Sequence, residues 1–364
     1  MRALQSFAEL LTSYRSSGRP VLALGPEGGG SQSGGLPAQG CLAAVSEGGR
    51  VLALAFGPGE GSLLFAHPEL PSLGLGASPL ALKGGPGGHR LRFAPEYAYS
   101  WIGEERDLVG FSNYLVQKQE EPGEYRMTAS DGAIRLAAEP VLVDRRTGME
   151  VRFAVERVVG LCPRPPADLP PGVRYAGYES RCAIRLLEGE GCVGLWHLLQ
   201  FPAGSILVVP LRAALRPEPY FNAGSWRVHK GPGEPFFLWR FGGTANAKIG
   251  YGCTQVTGRA GVLRPWADGE WALVVLDFPV HPGMHYCDAP RPEKAGDQLL
   301  QAWDGFGFGE LEYHVPAVGS PPLPRWWEER ARVWAFAGSP ERMAGLALEL
   351  LGVRIEHLFT GGGI

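Results

Sequence analysis

FGELEYHV, residues Phe308 to Val315, alternates charged or polar with apolar side chains after a Gly/Phe-rich turn. A β-strand sends successive side chains to opposite faces, so Glu310, Glu312 and His314 share one face of a sheet. Carboxylates are seldom buried unless paired or used chemically. The pair Glu310/Glu312 therefore marks either a solvated sheet face or a site of chemistry.

The same reading extends outward along the chain. Apolar runs at Cys41–Val45, Arg50–Phe56, Gly61–Ala66, Glu124–Ala129, Ala133–Val143, Met149–Leu161, Arg181–Leu187, Gly194–Phe201, Ser205–Leu211, Pro235–Phe241, Glu270–Val280 and Arg330–Ala337 read as further strands. Turn signals separate them, which is where much of the chain's 53 Gly and 32 Pro falls. So many strands without intervening helices predict an all-β fold, a large two-sheet antiparallel sandwich. Only the ends read as helix. Leu4, Phe7, Leu10, Leu11 and Tyr14 recur at helical spacing within residues 1–20. Ser339 as N-cap, Pro340 at the first helical position and Gly352 as the stop bracket a second helix over 339–352. PRPPADLPPG (Pro163 to Gly172) reads as a stiff surface loop, leaving a single domain over 1–364.

A net charge of -3 and a pI near 6.3 give no long-range attraction for nucleic acid or an anionic membrane. The N-terminal stretch contains Glu9 and lacks a continuous apolar run, and no segment is long enough to span a bilayer, so a cytoplasmic protein is expected. The six cysteines, Cys41, Cys162, Cys182, Cys192, Cys253 and Cys287, show no metal-type spacing and read as reduced thiols. His281, His285, Cys287 and Asp288 could gather around a metal only through a loop, because Pro282 and Gly283 forbid a helix; no metal and no cofactor is expected. LGPEGGGSQSGG (Leu24 to Gly35) lacks the GK[ST] of a phosphate loop and reads as a flexible loop.

Three further stretches carry a family resemblance. GGHRLRFAPE (Gly87 to Glu96), GLWHLLQFPAGSILVVPL (Gly194 to Leu211) and AKIGY (Ala247 to Tyr251), followed by GELEYHVPAVG and RVWAFAG, resemble elements of uncharacterised members of the galactose mutarotase-like superfamily. The resemblance spans roughly residues 40 to 352 and implies a two-sheet supersandwich with a sugar-binding groove on one sheet. It also implies an aldose 1-epimerase-like activity: Leu311-Glu312-Tyr313-His314 falls on the Leu-Glu-Thr-Gln strand whose Glu is the general base. The epimerases' acid is a His in an Asn-His-x-Tyr-Phe-Asn segment. Here EPYFNAG (Glu218 to Gly224) has Glu218 at that place, and His197 lies near the position where a strand comparison puts the acid.

On this reading Glu312 is the base, or else a structural carboxylate bonded to Lys248 or a nearby arginine, with Glu310 beside it and His197 as the candidate acid; His89 and His314 are further groove histidines. Opening a pyranose needs one proton taken from the anomeric hydroxyl and another given to the ring oxygen, each transfer worth roughly 10²–10⁴-fold. Arg90 offers fixed donors for sugar hydroxyls, or else a salt bridge to Glu96. Lys248 stands alone in an apolar stretch and points either into the groove or to the surface. Trp303 is the candidate groove wall among ten tryptophans. The expected partner is a small-molecule sugar. A non-catalytic sugar-binding protein fits the same scaffold, as does a glycoside hydrolase or lyase with two carboxylates across a cleft.

Overall fold

In a computed structural model, the structure describes residues 6–26, 40–70, 82, 85–103, 105–108, 111–222, 225–230, 235–290 and 296–359. Two large sheets, every neighbouring pair antiparallel, account for about half of them. The sheet that carries Glu312 runs in the order Val21–Leu24, Cys41–Val45, Arg50–Ala55, His89–Ala94, Cys192–Pro202, Phe308–His314, Gln298–Gly305, Ala247–Gly252, Glu218–Phe221. The second sheet is built around the long strands Glu150–Leu161, Arg174–Glu188 and Trp326–Gly338. The expected two-sheet antiparallel sandwich is thus what the chain forms.

The apolar half of each alternation lies between the sheets. Leu195, Leu199, Leu311 and Tyr313 from the first sheet share a core with Val155, Tyr178, Ile184, Val274 and Val333 from the second. Each fully buried side chain of this size stabilises the fold by roughly 1.5–3 kcal/mol, so burial fixes which way every strand faces. Gln298–Gly305 and Phe308–His314 are joined by Phe306-Gly307, both at positive φ (52° and 90°), the conformation that matches the twist of a two-residue hairpin.

The helices cover outer faces. Phe7–Ser16 starts in a capping box, Ser6 with Glu9, and packs Phe7, Leu10, Leu11 and Tyr14 on Ala43, Val45 and Leu52. Pro340–Leu351 ends at Gly352 in the left-handed region and packs Met343, Leu346 and Leu350 on the second sheet's outer face. No helix among the described residues is long and apolar enough to cross a membrane.

Two expected strands come out differently. Gly61–Ala66 is not a strand, because its backbone bonds go to separate elements: Leu63 N–H to Leu54 C=O, and Phe65 N–H to Gln200 C=O. Ala133–Val143 is split into Ala133–Ala138 and Val141–Val143, where Pro140 has no N–H for the ladder. The Pro163–Gly172 loop joins two strands that pair with each other. Most of the Gly-rich stretch from Leu24 to Gly35 lies outside the described residues.

Candidate functional site

Strand register brings side chains of five strands together on the outer face of the first sheet. Leu198 pairs with both Glu312 and Arg90, Gln301 with Glu312, Trp303 with Glu310, and Lys248 with Trp303. Directly paired residues point to the same face. Arg90, Arg92, Trp196, Glu310, Glu312, Trp303 and Lys248 therefore form one patch, covered by the segment from Glu96 to Glu121. Trp101, Phe111, Tyr114 and Val116 of that segment close over a cavity of about 200 Å³ whose floor includes Glu310, Glu312, Trp196 and Lys248. At roughly 30 Å³ per water, this is about seven waters, the scale of one small ring and not of a chain of sugars.

The charges are arranged in sequence across the floor. Glu312 is fully buried; its Oε2 accepts from Trp196 Nε1 (2.8 Å) and lies 3.3 Å from Lys248 Nζ. Lys248 Nζ also lies 3.5 Å from Glu96 Oε2 and 4.2 Å from the centre of the Trp196 ring. Glu310 Oε1 accepts from Arg90 Nη2 and from Gln200 Nε2, each at 2.9 Å. Arg90 Nη1 donates to Glu121. Arg92 donates to Glu120 (2.9 Å), Tyr114 (2.6 Å) and Ser100 (3.0 Å), while the Tyr114 hydroxyl donates to Glu96. Asp288 supports this layer from behind, accepting from the Glu96 backbone N–H and from Gln301.

Burial is the main influence on these groups. It pushes the Glu312 carboxyl up to about 7; Lys248 pulls it down, while Glu310 and Glu96 push it further up. For Lys248, burial favours the neutral amine, but Glu312, Glu96 and Asp288 outweigh it and hold the ammonium above its ordinary value. Burial likewise raises Asp288. Glu96 is held low because Lys248 and Arg92 together overcome the effect of its burial. The outcome is one carboxyl poised near neutrality beside an ammonium, Lys248, and a carboxylate, Glu96, that are both held in their charged forms. Its second oxygen, Oε1, is buried with no hydrogen-bond partner among the described residues.

The structure brings six of the expected residues to this cavity: Glu312, Glu310, Arg90, Glu96, Lys248 and Trp303. Arg90 is bridged to Glu310 and Glu121, and it is Lys248 that holds Glu96. The three histidines are elsewhere. His197 pairs across to Tyr313 and Leu91, the inward set, and stacks on Tyr313 inside the core at 4.3 Å. His89 is its neighbour: His89 Nε2 lies 3.0 Å from His197 Nδ1, and His89 Nδ1 receives Arg157 at 2.8 Å. Because arginine only donates, His89 Nδ1 is the acceptor there, so its Nε2–H donates to His197. Burial holds both rings neutral, with their pKa values well below the ordinary range. His314 shares the Glu312 face but is buried against Trp196, ring centres 5.5 Å apart, and burial and Lys248 keep it neutral too.

Residues that sequence reading did not single out include Trp196 as the carboxylate's hydrogen-bond donor, and Arg92, Tyr114, Glu120, Glu121 and Asp288. The hint for Asp288 lay in HPGMHYCD, but as a metal ligand; among the described residues no three His, Cys, Asp or Glu side chains are placed to hold a metal ion. His281 instead meets Glu329 at 3.1 Å. A wider concavity of about 600 Å³ lies on the second sheet's outer face, lined by Arg126, Arg135, Glu139, Glu156, Arg185 and Trp326. Arg126, Arg135 and Arg185 are solvent-exposed there and Arg135 pairs with Glu156, which is the character of a solvated sheet face.

No protein-family model and no curated protein sequence matches the chain. In structure the chain is similar to galactose mutarotase-like proteins. One from Lactobacillus casei ATCC 334 is 10% identical, with 88% of this chain and 100% of that chain covered and a TM-score of 0.44. A galactose mutarotase related enzyme from Lactobacillus acidophilus is 8% identical (85% and 96% covered, TM-score 0.43). A galactose 1-epimerase from Lactobacillus acidophilus NCFM is 9% identical (87% and 98% covered, TM-score 0.38). Likeness at this level carries no assignment of activity, and the functional reading rests on the cavity itself.

Proposed function

We propose that the cavity over Glu312 takes a single sugar ring and that Glu312 exchanges a proton with its anomeric hydroxyl, interconverting the two anomers. The observation that carries this is a buried carboxyl pushed up to about 7, with one oxygen unpartnered, on the floor of a ring-sized cavity walled by Trp303 and Phe308. A carboxyl near neutrality both accepts and releases protons at working pH. Glu312 takes the anomeric proton, the C1–ring-oxygen bond opens with its electron pair moving to the ring oxygen, and that oxygen is protonated; closure from the other face gives the second anomer. No imidazole among the described residues faces the cavity. Lys248, held protonated and in contact with Glu312, is the candidate donor to the ring oxygen. NMR exchange spectroscopy on a panel of free hexoses tests the reading: exchange above the buffer rate, lost in Glu312→Gln, supports it, and buffer rates for every sugar remove the enzymatic claim.

A second reading, a sugar-binding protein without turnover, is favoured by the inward-facing His197 and His89. Calorimetric binding unchanged by Glu312→Gln, with no anomer exchange, would select it.

A further inference from the structure

The cavity holds more carboxylates than cations, and its guanidinium groups are already engaged. Among the described residues Glu96, Glu121, Glu310 and Glu312 line it against Arg90, Arg92 and Lys248. Behind them Glu120 bonds Arg92, Asp288 bonds the Glu96 backbone, and Arg50 lies 3.6 Å from Glu121. The connected network thus sets six carboxyl groups against four cations. Both terminal nitrogens of Arg90 have protein partners, Glu121 and Glu310, and so have those of Arg92, Tyr114 and Ser100. An incoming phosphate or carboxylate would have to displace one of these partners. In contrast, Glu312 lines the cavity and its Oε1 is a buried acceptor with no donor among the described residues.

We propose that the sugar this cavity selects is an amino sugar, bound in its ammonium form with the charge directed at Glu312 Oε1. The inference rests on the sugar reading of the cavity and narrows it to a substrate class. An ammonium is a compact donor of three hydrogen bonds and suits an orphaned carboxylate oxygen. The aromatic walls, Trp303 and Phe308, add the attraction of ring faces for a cation. Binding also settles the charge on Glu312. Facing it are Lys248 from the Ala247–Gly252 strand, Glu96 from the short Glu96–Tyr99 helix, and Glu310 and neutral His314 from its own strand. A second cation beside Lys248 tips this balance toward the ionised carboxylate, so the complex forms with release of a proton.

Calorimetry on the intact protein at pH 6.5 tests this with glucosamine and galactosamine, their parent hexoses and the hexose 6-phosphates. The amine is expected to bind at least tenfold more tightly than the matching hexose, with a heat that changes with the buffer's ionisation enthalpy as a proton leaves. The 6-phosphates are expected not to bind, and Glu312→Gln is expected to bring the amine's advantage below threefold. Equal binding of hexose and amine, or tighter binding of a phosphate, overturns the inference and leaves the sugar reading standing. Absence of binding by the whole panel overturns both.

Discussion

Replacing Glu312 by Gln should make the protein more stable, by an amount that grows as pH rises from about 4.5 to 7 and then levels off. The carboxyl titrates near 4.5 in the unfolded chain and at about 7 when folded, chiefly because it is buried. Each pH unit between these values corresponds to about 1.4 kcal/mol, so the ionised carboxylate weakens the fold by about 3 kcal/mol. The sign follows from proton binding. Between pH 4.5 and 7 the folded state binds more protons than the unfolded state, so the stability this group contributes is fully present below 4.5. It is lost as pH rises through 7. A Gln carbonyl can still accept from Trp196 Nε1 and face Lys248, so the variant mimics the neutral acid at every pH. Other buried carboxyls, Glu120 and Asp288 raised and Glu121 lowered, titrate in both proteins and drop out of the difference. Urea unfolding of the two proteins should give matching stabilities near pH 4.5 and an advantage of about 3 kcal/mol for the variant by pH 8. A difference that does not change with pH, or a variant less stable at pH 8, would refute the reasoning.

Arg90→Met leaves Glu310 and Glu121 without their shared cation and should destabilise by roughly 3–5 kcal/mol in urea unfolding; the double variant with Glu310→Gln should recover part of this. Trp303→Ala removes a cavity wall at the end of a strand, so sugar affinity measured by calorimetry should fall by at least tenfold. Gly352→Ala places a side chain at φ 72°, where the C-terminal helix stops, and should lower stability by about 1 kcal/mol with no effect on sugar binding.

The alternation of Phe308–His314 was legible because one of its faces is charged, and the pattern survives in three consecutive pairs. The Cys192–Pro202 strand hid its orientation: nearly every residue is buried on both faces, so no polar stripe distinguishes Trp196 from His197. Only pairing of Leu198 with Glu312, more than a hundred residues away in sequence, decides that Trp196 faces the cavity and His197 the core. Lys248 could be marked as unusual by its apolar surroundings, but its partner is set by the Ala247–Gly252 register. The described residues of the cover between Trp101 and Glu121 are irregular backbone without periodicity, which is why Tyr114, Glu120 and Glu121 gave no sequence signal. Its contacts with Arg90 and Arg92 are long-range charge pairs that no local pattern records.

What everything else depends on is a carboxyl that changes charge around neutrality in a hollow open to a sugar. Carbon-13 NMR titration of glutamate-labelled protein, with Glu312 assigned by its loss in Glu312→Gln, observes that group directly. A midpoint near 7 that moves when a sugar is added is the predicted result. A midpoint in the ordinary carboxylate range, indifferent to every sugar tried, would contradict it.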